Sequence, residues 1–178
     1  MKELRRNTQA KYLLFAFTCI CMFLSSCGSK KSVVYNPAQV KQLSNKMGIS
    51  IQNNDPHIPL YAEVSMWLGV PYRYAGTNER GIDCSGLVYR VYQNLYKKKV
   101  SRSSAGLAKE TRSVSKNNLL PGDLVFFATT SNKKKISHVG IYLKDGYFAH
   151  SSTRRGVIIS HLDENYYKQR WKTGGRLK

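Results

Sequence analysis

The chain holds four cysteines and four histidines, and their positions give them chemical meaning. Cys19 and Cys21 lie inside an apolar run from Tyr12 to Leu24, and Cys27 follows it closely. Cys84 stands alone in the remaining sequence, with no disulfide partner in its own domain. An unpaired thiol in an exported domain is a candidate nucleophile, the alternative being a buried, inert structural cysteine. Cys84 precedes Leu87, Val88, Val91 and Leu95, whose steps of three and four predict a helix opening at Asp83 or Cys84. A thiol at a helix start meets unpaired backbone N–H groups and the positive end of the helix dipole. Such settings lower a cysteine pKa from about 8.5 to roughly 3.5–7.5, so a resting thiolate is expected. Asp83 either caps this helix or touches substrate, and Gly86 is expected to keep the first turn thin for an approaching substrate.

A nucleophilic cysteine needs a base, and the base needs an orienting group. His57, His138, His150 and His161 are available. In Ser137-His138-Val139-Gly140-Ile141-Tyr142-Leu143 the apolar residues alternate, leaving His138, Gly140 and Tyr142 on the other face. His150 ends the next strand, Tyr147-Phe148-Ala149-His150. A three-residue loop Lys144-Asp145-Gly146, with Gly146 left-handed, sets Leu143 opposite Tyr147 and Gly140 opposite His150. The two histidines then share a face as diagonal neighbours, within reach of each other's rings, and Gly140 leaves room for them. A two-residue turn would put them on opposite faces. A zinc site from three histidines and a thiol is the other option, but no local Cys-x-x-Cys or His-x-x-x-His pairing supports it, so no metal or other cofactor is expected.

The positioning elements follow from periodicity. Leu60, Val64, Trp67 and Leu68 predict a helix that stops at Gly69, and a short helix is expected over Ser104 to Thr111. Strands are expected at Asp123–Phe127, Ile136–Leu143, Tyr147–Ser151 and Gly156–Ser160. Helices followed by a meander of short strands indicate an α+β domain with an antiparallel sheet. Residues 27–54 are polar and basic and read as a flexible tether, with a short helix over Pro37 to Lys46; the folded domain is expected over 55–178.

Residues 1–26 read as an export signal, with Lys2, Arg5, Arg6 and Lys11 before an apolar run of 13 residues. That run is shorter than the roughly 20 residues of a membrane span. Leu24-Ser25-Ser26-Cys27 resembles a bacterial lipobox, which makes Cys27 the expected lipidation site; a plain secretory signal is the alternative. Removal of Lys2, Glu3, Arg5, Arg6 and Lys11 lowers the net charge from +19 to +16. The export signal argues against nucleic acid as partner and favours an acidic envelope component or a membrane surface.

Several blocks together carry a family resemblance: Tyr72-Arg73-Tyr74, Gly81-Ile82-Asp83-Cys84-Ser85-Gly86-Leu87-Val88, Pro121-Gly122-Asp123-Leu124-Val125, Ser137-His138-Val139-Gly140-Ile141-Tyr142 and Phe148-Ala149-His150. In order and spacing they resemble the NlpC family of papain-like cell-wall cysteine peptidases, most of all its lipid-anchored murein endopeptidases. The resemblance runs from about Pro56 to the last residue and implies N-terminal helices packed on an antiparallel sheet of about five or six strands. It implies a triad of Cys84, His138 and His150, with His150 orienting His138, and Tyr72 beside the thiol as an oxyanion contact; a loop aromatic packed on the core is the other reading of Tyr72. Ser85 and Ser137 become candidate substrate contacts alongside Asp83. Ala75-Gly76 stands where many members have Gly-Gly, a change in loop freedom alone. The implied activity is a thiol endopeptidase acting on peptidoglycan peptides, expected as a monomer anchored through Cys27 on the periplasmic side of the outer membrane. Gly28 lacks the aspartate that retains lipoproteins at the inner membrane.

Overall fold

The computed structural model describes residues 34–178, so the signal, the lipobox and Cys27 lie outside the described part. Helix α1 spans Pro37–Met47. Asn36 and Gln39 form a reciprocal capping box, Pro37 occupies the first turn, and left-handed Gly48 ends the helix. Val40, Met47, Ile49 and Ile51 are buried in the main core. The tether expectation is therefore corrected for residues 37–54, although the helix within it falls where the sequence predicts. The reason is that four apolar side chains, too few to register against a polar background, all join the main core.

Helix α2 spans Ile58–Trp67 and buries Ile58, Leu60, Tyr61, Val64 and Trp67. A two-residue hairpin follows, β1 (Thr77–Asn78) with β2 (Gly81–Ile82). Helix α3 (Cys84–Tyr96) comes next and buries the expected Leu87, Val88 and Val91. It ends at Lys97, which adopts the left-handed conformation, φ 56°. Helix α4 spans Ser104–Glu110, capped by Ser103.

The strands are β3 (Thr111–Val114), β4 (Leu124–Phe127), β5 (His138–Lys144), β6 (Tyr147–Ser152), β7 (Gly156–His161) and β8 (Trp171–Leu177). One short helix, α5 (Asn165–Lys168), lies between β7 and β8. The sheet has six strands in the order β3-β8-β4-β5-β6-β7, every neighbouring pair antiparallel. The meander β4 to β7 matches the sequence expectation. β8 was not legible, because Lys172, Gly174, Gly175 and Arg176 break any apolar alternation. Its glycines are needed for close approach: a Cβ on Gly175 would stand 2.4 Å from the Thr111 Oγ1, and one on Gly174 2.6 Å from Leu119.

Both sheet faces are covered. Leu124, Phe126, Val139, Ile141, Leu143, Ala149 and Val157 join the helices in the main core. Val125, Phe127 and Phe148 turn the other way, into a second cluster with Leu119, Leu162 and Tyr167. Helix α3 lies against β5 and β6 and so carries its first residue to the sheet. None of the described helices is long and apolar enough to cross a membrane.

Candidate active site

Cys84 is the first residue of α3, as its sequence context predicts. Asp83 is the N-cap, its Oδ1 accepting from Gly86 N at 2.6 Å. The same carboxylate accepts from the Ser85 hydroxyl at 3.0 Å and from the Arg102 guanidinium at 3.2 Å. The single Ser85 hydrogen is shared between that carboxylate and the Arg102 carbonyl at 2.9 Å, and Arg102 reaches the Gly76 carbonyl at 3.3 Å. Asp83 and Ser85 are both buried. Their contacts bind the helix start to the segment before α4 and to the loop before β1; Arg102 was not singled out from sequence. Gly86 serves the same junction, because a Cβ there would stand 2.3 Å from the Gly76 carbonyl oxygen. Its role is close backbone contact and not space for substrate.

The resting thiolate expected from the helix start is corrected by the surroundings. Burial pushes the Cys84 thiol above its ordinary value, and the Asp83 carboxylate adds to the rise. The backbone N–H groups of Val139, Ser85 and Cys84 itself act in the opposite direction, without overcoming burial. The Val139 contact has a second meaning: β5 reaches the sulfur at the residue next to His138. Tyr72 also lies near, in a bridge to Ile82, with its hydroxyl pKa raised by burial and then by the Cys84 charge.

His138 begins β5, half-buried, and His150 sits in β6, fully buried. His138 Nε2 lies 3.1 Å from His150 Nδ1, with the rings 5.0 Å apart and nearly perpendicular. The hairpin brings them together by a route different from the predicted loop. Lys144 pairs with Tyr147, so the turn contains only Asp145 and Gly146, both left-handed with φ 51° and 82°. A β-bulge between Tyr142 and Lys144 supplies the extra residue and restores the pairing of Ile141 with Ala149. The histidines thus share a face even though the turn has two residues. Gly140 makes room for Phe148, not for the imidazoles: a Cβ there would meet the Phe148 ring at 2.6 Å.

Burial pushes the His138 pKa down to about 4. His150 is also held well below its ordinary value, by burial first and then by the charges of His138 and Arg155. Burial thus disfavours the charged form of the thiol and of both imidazoles. For His138 Nδ1 to accept a proton from the thiol, Nε2 must carry its hydrogen and donate to His150 Nδ1. His150 must then hold its own proton on Nε2, facing the Tyr167 oxygen at 2.9 Å and Ser160 Oγ at 3.4 Å. Tyr167 was missed at the sequence level. Among the other candidates, Ser137 Oγ accepts from Thr129 N at 2.8 Å and ties the chain before β5 to the end of β4. His161 is held at the β5–β6 turn by the Asp145 carbonyl at 2.9 Å, apart from the histidine pair. His57 is the N-cap residue of α2, its backbone N–H donating to Asp55 Oδ1 at 2.9 Å. Among the described residues no group of three or more His, Cys, Asp or Glu is arranged to hold a metal.

Residues 69–176 match the NlpC/P60 family. The Escherichia coli K12 protein named "Murein DD-endopeptidase MepS/Murein LD-carboxypeptidase" is 38% identical over 127 residues, 71% of this chain and 66% of that protein. The chain thus spans just under two thirds of that relative's length. The E. coli K12 "Probable endopeptidase NlpC" is 33% identical over 88% of this chain and 94% of that protein. A crystal structure of an NlpC/P60 family protein from Bacillus cereus superposes with a TM-score of 0.63 at 33% identity, covering 67% of this chain and 39% of that one. With a helix-borne cysteine set against a histidine-bearing antiparallel sheet, and with this match across most of the folded part, the chain belongs to the NlpC/P60 family.

Proposed function

We propose that the chain is a thiol peptidase that cuts an amide bond in the stem or cross-link peptides of peptidoglycan, using Cys84, His138 and His150. The observation that carries this reading is the 3.1 Å contact between the histidine rings, on a strand whose next amide reaches the Cys84 sulfur. The wall substrate is drawn from relatives whose names include a murein DD-endopeptidase and a Bacillus subtilis gamma-DL-glutamyl hydrolase.

Sγ attacks the amide carbonyl as its proton passes to His138 Nδ1, so the nucleophile is generated from a neutral pair as substrate arrives. The developing oxyanion is met by the Cys84 backbone N–H and the Tyr72 hydroxyl. His138 returns the proton to the leaving amine, the C–N bond breaks, and a thioester remains. Water, losing a proton to His138, hydrolyses the thioester and regenerates the thiol. Asp83, Ser85 and Arg102 hold the nucleophile's helix in place for these steps.

The lipid anchor at Cys27, with an outer-membrane, periplasm-facing location, belongs to the same proposal. One experiment separates the two cysteines. Cys84→Ala abolishes digestion of purified sacculi and retains palmitate labelling in cells, whereas Cys27→Ala loses the label and, as purified protein, still digests. Wild-type digestion by Cys84→Ala would sink the peptidase reading, and label persisting in Cys27→Ala would sink the anchor.

A further inference from the structure

A cavity of about 810 Å³ opens beside His138 and does not include Cys84 in its wall. Its lining includes His138, Arg154, Arg155, Glu164, Tyr166 and Tyr167. In the reaction proposed above, the leaving amine departs past the group that protonates it. A cavity with His138 in its wall and the nucleophile outside it therefore lies on the amine side of the scissile bond.

The β6–β7 turn presents two cations to this cavity on a fixed support. Ser152 pairs with Gly156, and the Ser152 hydroxyl lies 3.4 Å from the backbone N–H of both Arg154 and Arg155. Gly156 is left-handed and packs so closely on the segment after α2 that a Cβ would stand 2.3 Å from the Val70 carbonyl oxygen. Val157 N donates to that carbonyl at 2.9 Å, and Gly69 N to the Val157 carbonyl at 2.9 Å. Both arginines are exposed, and among the described residues neither is engaged by a carboxylate. Arg155 lines the same cavity as His138, and its charge disfavours protonation of His150. Glu164, also in the wall, accepts from His161 N at 2.7 Å through Oε1 and forms no ion pair with either arginine among the described residues. Two unpaired guanidiniums on a rigid turn form a site for a planar anion.

We infer that Arg154 and Arg155 bind a carboxylate carried by the amine-side segment of the substrate, so that the enzyme selects wall peptides with a free carboxylate next to the bond it cuts. The inference rests on the peptidase reading.

It is tested with muropeptide dimers released from sacculi, either native or with their carboxylates converted to carboxamides by carbodiimide and ammonia. Wild-type enzyme is expected to show a kcat/KM at least tenfold higher on the native dimers. Arg154→Ala/Arg155→Ala should cut both forms at similar rates, losing the preference mainly through KM on the native form. Arg154→Glu/Arg155→Glu should favour the amidated form. Both sites are exposed, and a thermal melt matching wild type identifies each variant as folded. Equal wild-type rates on the two forms, or a preference that survives in the folded alanine variant, would overturn the inference and leave the peptidase reading standing. Failure of wild type to cut either form would overturn both.

Discussion

At the scale of single residues, identity was more legible than electrostatics. Cys84 was marked by its isolation, and His138 and His150 by strand alternation. The thiolate expectation failed because a helix start contributes a fixed, modest stabilisation, while the cost of burying a charge depends on how the sheet closes over it. Tyr167 was missed for a related reason: Asn165-Tyr166-Tyr167-Lys168 is a one-turn polar segment, and only its docking brings a hydroxyl to His150 Nε2. That hydroxyl can accept from His150 Nε2–H and so favour the tautomer that leaves His138 Nδ1 free to act as base. Tyr167→Phe keeps the ring among Phe127 and Phe148 and removes the acceptor. We expect kcat to fall roughly 10- to 100-fold with KM little changed, as is usual for groups that orient an imidazole. Imidazole nitrogen NMR should show His138 gaining the Nδ1–H form. Unchanged kcat together with an unchanged tautomer would remove Tyr167 from this role.

At the scale of elements, the β5–β6 hairpin shows how a correct register can be reached from a wrong turn. Asp145-Gly146 is a strong two-residue turn signal, and pattern alone gives no sign of a bulge, since Leu143 and Lys144 fit an uninterrupted strand equally well. The position of β8 rests on a different device. Arg176 donates to Asp123 through Nε at 2.7 Å and Nη2 at 2.6 Å, and Asp123 also accepts from Leu120 N at 2.8 Å. The carboxylate is only 3% exposed, so it depends on that guanidinium. Arg176→Ala leaves the buried charge without its partner and should cost about 3 kcal/mol. Urea unfolding measures this directly; a loss below about 0.5 kcal/mol would match an exposed surface pair and contradict the account.

At the scale of the whole molecule, the fold hides two histidines in neutral form, and this couples stability to pH. Their folded pKa values lie below the unfolded value, with His138 at about 4. Between about pH 6.5 and 4 the unfolded chain therefore binds more protons than the folded one. The contribution is fully present above about pH 6.5 and is lost as pH falls below it, at no more than about 1.4 kcal/mol per pH unit for each histidine. The urea midpoint should drop between pH 7 and pH 5, and a midpoint constant over that window would contradict the lowered pKa of the two rings. The six-stranded order adds a last consequence. β8, the final strand in the chain, lies inside the sheet between β3 and β4, and Tyr167 just before it touches His150. A chain made from its N-terminus onward can hold its cysteine helix and its histidine hairpin before residues 167–177 are added. Until those residues insert, β3 stays apart from β4 and His150 lacks its contact with Tyr167. The candidate site is thus completed by a segment that follows both the cysteine helix and the histidine hairpin in the chain, so its assembly waits on the closing of the sheet.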